Sequence, residues 1–173
     1  MLNTSSLLKK SFHFLRNRML KKFNRHVSIG DLLTSRWETA EFLGFGKGTS
    51  CYNNVLVLGD VSVGENTWIG PNVILDGSGD LSIGNYCSIS AGVQIYTHDT
   101  VAWSTSLGVE GVTRSATKIG NGVYIGPNSI IQKGVVIGDG AVIGAMSFVN
   151  SDVAGNSRVF GSPAKQRNSK GAL

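Results

Sequence analysis

Three histidines occur in the chain, and one of them stands apart from the other two. His13 and His26 lie in a strongly basic opening stretch, where a solvated or interfacial role is the simple reading. His98 is the only histidine in the remainder. An imidazole with an ordinary pKa of about 6.5 can take and return a proton at neutral pH, so His98 is the candidate acid–base group. Such a ring needs a partner to fix its tautomer. Asp99 adjoins it, although adjacent side chains on an extended segment point apart. Asp76 and Asp80 flank a Gly-Ser-Gly turn earlier in the chain and could reach beneath His98 or hold a substrate, or serve only as turn residues. No His, Cys or Asp recurs at metal-ligand spacing, so no metal is expected.

What must position these groups is set by a period of six. Phe45, Cys51, Val57, Val63, Ile69 and Leu75 form one series. After a two-residue slip it continues through Ile83, Ile89 and Ile95, and it resumes from Ile119 to Val149. Gly often follows the ladder residue, and a smaller residue recurs two positions before it. No helical face has this period. A chain that turns a corner every six residues, with one apolar side chain inward per flat and a residue tolerant of positive φ at the bend, has it. Three flats close a coil of about eighteen residues. The slip at Asp76–Asp80 reads as a small bulged corner. Between Thr97 and Lys118 the pattern lapses, and since Ile95 and Ile119 are four sixes apart the segment reads as one excursion from a corner, with His98 at its root. Loops of this length in compact repeats are usually functional. Cys51 and Cys87 fall on the ladder and read as small buried core residues.

This ladder resembles that of the hexapeptide-repeat acyltransferases, over roughly Gly30 to Arg167. The stretches Ile119-Gly-Asn-Gly-Val-Tyr-Ile-Gly-Pro-Asn, Val136-Ile-Gly-Asp-Gly-Ala-Val-Ile-Gly-Ala and Phe160-Gly-Ser-Pro-Ala-Lys165 are similar to the end of the sugar and xenobiotic O-acetyltransferase branch. The resemblance implies an all-β, left-handed parallel β-helix, a hand that spacing does not fix and that the general rule for parallel crossovers opposes. It implies a homotrimer with sites between adjacent prisms, acetyl-CoA as co-substrate, and a saccharide hydroxyl as acceptor, such as that of a polysaccharide precursor. Ile95-Tyr-Thr-His-Asp99 resembles the segment bearing the family's catalytic histidine, which makes His98 the general base of a direct transfer that needs no covalent nucleophile. Asp76, Asp99 and Trp103 are then candidates for the acceptor side, Trp103 by stacking on a sugar face or else by packing within its loop. Coenzyme A would pass the Gly126-Pro127 and Gly144-Ala145 corners, with Gly126 and Ala145 in contact, and its phosphates would meet Lys165 and Arg167. Tyr124 stands where many members carry Trp, and Met146 where many carry a small residue, so the channel past Ala145 is narrowed. Alternatives are an N-acetyltransferase of a nucleotide-linked amino sugar and a non-catalytic scaffold; a zinc enzyme of this fold would need several histidines at coil spacing.

Charge divides the chain. Residues 1–26 hold seven basic residues and no acid, and the rest holds nine basic against eleven acidic residues, a balance of −2. The body therefore offers no basic stripe for nucleic acid. Leu8, Phe12, Leu15, Met19 and Phe23 share one helical face of the arm. That face either packs on the protein or lies on an anionic membrane surface. The stretch is neither a secretory signal nor a membrane span, so a cytoplasmic protein is expected, peripheral at the inner membrane face on the second of these readings. The expected divisions are a basic arm 1–26, a β-helix domain 27–167 with the excursion 97–118, and a tail 168–173.

Overall fold

The computed structural model describes residues 4–166. From Phe45 onward the chain winds into a left-handed parallel β-helix, preceded by a helical arm. The six-residue ladder maps onto three flats. Cys51, Ile69, Ile89, Ile125, Ile143 and Val159 stack on one, through parallel pairs such as Cys51–Ile69 and Ile125–Ile143. Leu75, Ile95, Ile131 and Val149 stack on the second. Val63, Ile83, Ile119, Ile137 and Val153 stack on the third. All of these side chains are buried, and together they make the core. Each contributes about 1.5–3 kcal/mol of apolar burial. Small polar residues of the second series are buried with them because each bonds to a neighbouring coil. Thr67 Oγ1 donates to the Gly84 carbonyl (2.9 Å) and Ser129 Oγ to that of Gly144 (2.8 Å).

The glycines act differently from the sequence expectation. Gly64 and Gly84 do not have positive φ; the left-handed residues come two positions later, at Asn66 and Tyr86. What the ladder glycines supply is closeness. A Cβ on Gly84 would lie 2.6 Å from the Gly120 carbonyl oxygen in the next coil. The bends themselves use Asn, Gly and, less commonly, Tyr86 and Met146 in the left-handed region.

Ile29 and Gly30, although an aliphatic residue followed by Gly like the rungs, stand outside the ladder. They belong to a short helix, α2 (Ile29–Leu33), in which Ile29 is exposed. A second, α3 (Arg36–Phe42), starts at a Ser35/Glu38 capping box and places buried Ala40 against the first core rung. The Asp31 carboxylate accepts from the Asn53 N–H (3.1 Å), tying α2 to the first coil. The arm is one helix, α1 (Thr4–Phe23). Phe12, Leu15 and Met19 of the expected stripe are half-buried, whereas Leu8 and Phe23 remain exposed, as do Leu7, Phe14 and Leu20 outside it. Met19 and Phe23 border a hollow with Asp31, Trp37 and Tyr52, where Arg36 lies over both aromatic rings at 5.0 and 4.9 Å.

The two-residue slip is a bulge. Leu58 pairs with Asp76 and Gly59 with Gly77, and pairing resumes at Val61 with Leu81. The excursion leaves the second flat after Ile95 and rejoins the third at Thr117–Ile119. Its root is an antiparallel pair, His98–Asp99 with Thr113–Arg114, and between the two lies a short helix, α4 (Val101–Thr105). Beyond Val153, Arg158–Phe160 adds a last rung, against which Lys165–Gln166 folds back antiparallel.

Candidate active site

His98 stands on the corner between the second and third flats, where the excursion begins. Asp76 occupies the equivalent corner one coil earlier. In the preceding coil the paired residue, Leu58, points outward and is 39% exposed, yet Asp76 has no exposure because the root of the excursion lies over it. Its carboxylate is saturated. Oδ1 accepts from Ser78 N–H (3.1 Å) and Ser78 Oγ (2.6 Å). Oδ2 accepts from Thr97 N–H (2.8 Å), Thr97 Oγ1 (3.2 Å) and His98 N–H (3.2 Å), and lies 2.6 Å from His98 Nδ1. Burial by itself would raise the pKa of Asp76. The bonds from Ser78, Thr97 and His98 outweigh it and hold the carboxyl well below the usual carboxylate range. An ionised Asp76 can only accept, so Nδ1 carries the proton and Nε2 is left with its lone pair. The His98 side chain is 30% exposed. The arrangement can therefore take a proton from a group placed on the open side of the corner.

The other expected residues fall in three places. Asp99 turns away from His98, as its adjacency suggests. Its Oδ1 accepts from Val101 N–H (3.1 Å) and Thr113 Oγ1 (2.9 Å), and its Oδ2 lies 3.2 Å from Lys133 Nζ. The Val101 N–H, then Thr113 and Lys133, hold its pKa below the ordinary value. It secures the excursion to the coil that follows. Trp103 sits on α4, half exposed, near the same root. Gly126 and Ala145 lie on another edge of the prism, between the first and second flats, and Lys165 is exposed at the far end of the first flat. One chain thus does not bring the coenzyme candidates to the His98 corner. Gly126 also has a reason of its own, since a Cβ there would collide with the backbone of Ala145. Arg167 lies outside the described residues. Ser78, Thr97 and Lys133 were not singled out in the sequence. Thr97 was readable only as the residue before His98, and Ser78 only as part of a turn.

Comparison with known proteins agrees with this architecture. Residues 60–97 match the model for the hexapeptide repeat of succinyl-transferase, and residues 116–151 match that for bacterial transferase hexapeptide repeats. These matches mark the chain as a hexapeptide-repeat protein that is similar to the hexapeptide-repeat acyltransferases. The two matched segments flank the excursion and overlap only its ends, at residue 97 and residues 116–118. Protein CapG of Staphylococcus aureus is 44% identical over 87 residues, which is 50% of this chain and 51% of CapG, so the match spans about half of that relative. The hexapeptide-repeat acetyltransferase of Vibrio cholerae superposes with a TM-score of 0.67 at 25% identity, covering 94% of each chain. Galactoside acetyltransferase in complex with coenzyme A superposes equally well, with a TM-score of 0.67 at 24% identity over 91% of this chain and 81% of its own, a likeness of fold.

Proposed function

We propose that this chain is an acetyl-CoA-dependent O-acetyltransferase that modifies a hydroxyl of a saccharide or polysaccharide precursor, with His98 as general base. The observation that carries the reading is the 2.6 Å contact between His98 Nδ1 and the buried carboxylate of Asp76. As the acceptor oxygen attacks the thioester carbonyl, Nε2 takes its proton. Asp76 stabilises the imidazolium that forms, without being protonated itself. Collapse of the tetrahedral intermediate breaks the C–S bond, and the imidazolium returns the proton to the departing thiolate. Asp76 is a positioning residue in this scheme and not a contact to acceptor, because none of its surface is exposed. Trp103, exposed on α4 of the excursion that His98 opens, is the acceptor-side contact.

Trimerisation completes the site. His98 and the Gly126–Ala145 edge lie on different corners of the prism, and pairing one subunit's corner with a neighbour's edge brings the thioester to the base. Lys165 and Arg167 then meet the coenzyme phosphates. The fold-level neighbour bound to coenzyme A, a galactoside acetyltransferase, supports the donor and a saccharide-related acceptor. Acetyl-CoA with a panel of sugars and amino sugars, read by thiol release, tests the reading. Release that depends on a sugar hydroxyl supports it, and release with amino sugars alone replaces it by N-acetyl transfer.

We further propose that the outer side of the arm lies against an anionic membrane surface. No helix among the described residues is long and apolar enough to cross a membrane. Leu7 and Phe14 point outward, and Lys10, Arg18 and Lys21 share their side of α1 at spacings of three, four and seven residues.

A further inference from the structure

We infer that the bulged corner Ser78–Asp80 is the seat of the base, with Ser78, Gly79 and Thr97 acting as positioning residues that set the tautomer and basicity of His98. The inference rests on the reading of His98 as general base, and it concerns residues that the ladder by itself does not require.

The preceding coil passes this corner with Asp60 alone between the paired residues Gly59 and Val61. This coil uses Ser78, Gly79 and Asp80 between Gly77 and Leu81. The added length supplies Ser78, whose N–H and hydroxyl both point at Asp76 Oδ1. It also supplies Gly79, whose N–H donates to Thr97 Oγ1 (2.8 Å), while that hydroxyl donates to the Asp76 carbonyl (2.8 Å). The chain before His98 is thereby clamped onto the bulge. Contact is at backbone distance. A Cβ on Gly79 would lie 2.7 Å from the Thr97 carbonyl oxygen and 3.0 Å from Arg114 Cβ, so both strands of the root rest on this residue.

The charges around the ring leave Asp76 as the controlling one. Arg114 is the cross-strand partner of His98 and is exposed. Asp99, next on the same strand, is paired with Lys133 from the following coil. Asp80 lies at the exposed end of the bulge. Of these groups, Asp76 is the one that is both buried and in contact with the imidazole. The hydroxyl of Ser78 draws charge toward Oδ1 and so limits how strongly Oδ2 holds the Nδ1 proton. Removing that hydroxyl concentrates charge on Oδ2 and raises the pKa of the imidazolium. Removing the carboxylate charge lowers it.

The test is a ring-nitrogen NMR titration of His98 in the full-length ¹⁵N-labelled protein, alongside the acidic limb of kcat/KM. The wild type is expected to hold the Nδ1–H tautomer. Ser78→Ala is expected to move the His98 pKa and the acidic limb upward by about half a unit or more, and Asp76→Asn to move both downward with loss of the single tautomer. Ser78→Thr, which keeps the hydroxyl, should restore the wild-type titration. A Ser78→Ala titration that coincides with wild type, or that shifts downward together with Asp76→Asn, overturns the inference. Should Asp76→Asn not fold, the Ser78→Ala and Ser78→Thr pair decides alone. Loss of the base assignment would show separately, as retained turnover in His98→Ala with these titrations as expected.

Discussion

His98 Nδ1 and Asp76 Oδ2 lie 2.6 Å apart across 22 positions of sequence, joined by a corner and a loop root that stack one coil on the next. The pair unites a partly exposed ring with a carboxylate that has no exposure. Its stability has a direction in pH. The folded pKa of Asp76 is depressed, so its contribution is fully present above the unfolded value near 4 and is lost as pH falls through the folded pKa. Asp76→Asn is therefore expected to destabilise the protein by about 2 kcal/mol at neutral pH. Urea melts of both proteins should converge as the pH is taken below about 4. A gap independent of pH would remove the ionised carboxylate from the account.

The cysteines are expected to be inert in the native state. Burial pushes the Cys51 thiol up to about 12, with Asp31 adding to the shift, and burial likewise raises Cys87. A thiol reagent at neutral pH should label neither until denaturant is added. Rapid labelling without denaturant would mean that the coils open readily around them.

Much of this was legible in the sequence because the coil repeats. The ladder positions from Cys51 to Val149 recur in the same environment, Val57 being only partly buried, so spacing alone identifies nearly all the inward residues. The excursion could be bounded because Ile95 and Ile119 keep the phase. What could not be read was the third dimension at the His98 corner. Asp76 occupies an outward position by register, and only the returning chain at Thr97 buries it. The role of the ladder glycines was also hidden, since close stacking and positive φ both ask for glycine. Along α1 the apolar spacing was visible, but Phe12, Leu15 and Met19 turned inward while Leu7 and Phe14, less regular in sequence, stayed outside.

The tail makes a kinetic prediction. With Lys165 against a coenzyme phosphate, Lys165→Ala should raise the Michaelis constant for acetyl-CoA by about fivefold at low salt and by less at high salt, with turnover little changed. A changed constant for the sugar with an unchanged one for acetyl-CoA would move Lys165 to the acceptor side.

For the arm, the full-length protein should co-sediment with anionic vesicles at low salt and be released as salt rises, each surface cation contributing about 1 kcal/mol. Leu7→Ser with Phe14→Ser should weaken this binding without altering acetylation of a soluble sugar. Binding that survives this change but is lost with Phe12→Ser would return the contact to the inner stripe.

The most direct measurement is the turnover of His98→Ala with acetyl-CoA and a sugar that the wild type accepts, compared at matched coenzyme saturation. A fall of roughly 10²–10⁴-fold, with the affinity for acetyl-CoA and the oligomeric state preserved, is the expected result for loss of a general base. Turnover within a few-fold of wild type would contradict it and leave the His98–Asp76 pair a structural tie at the root of the loop.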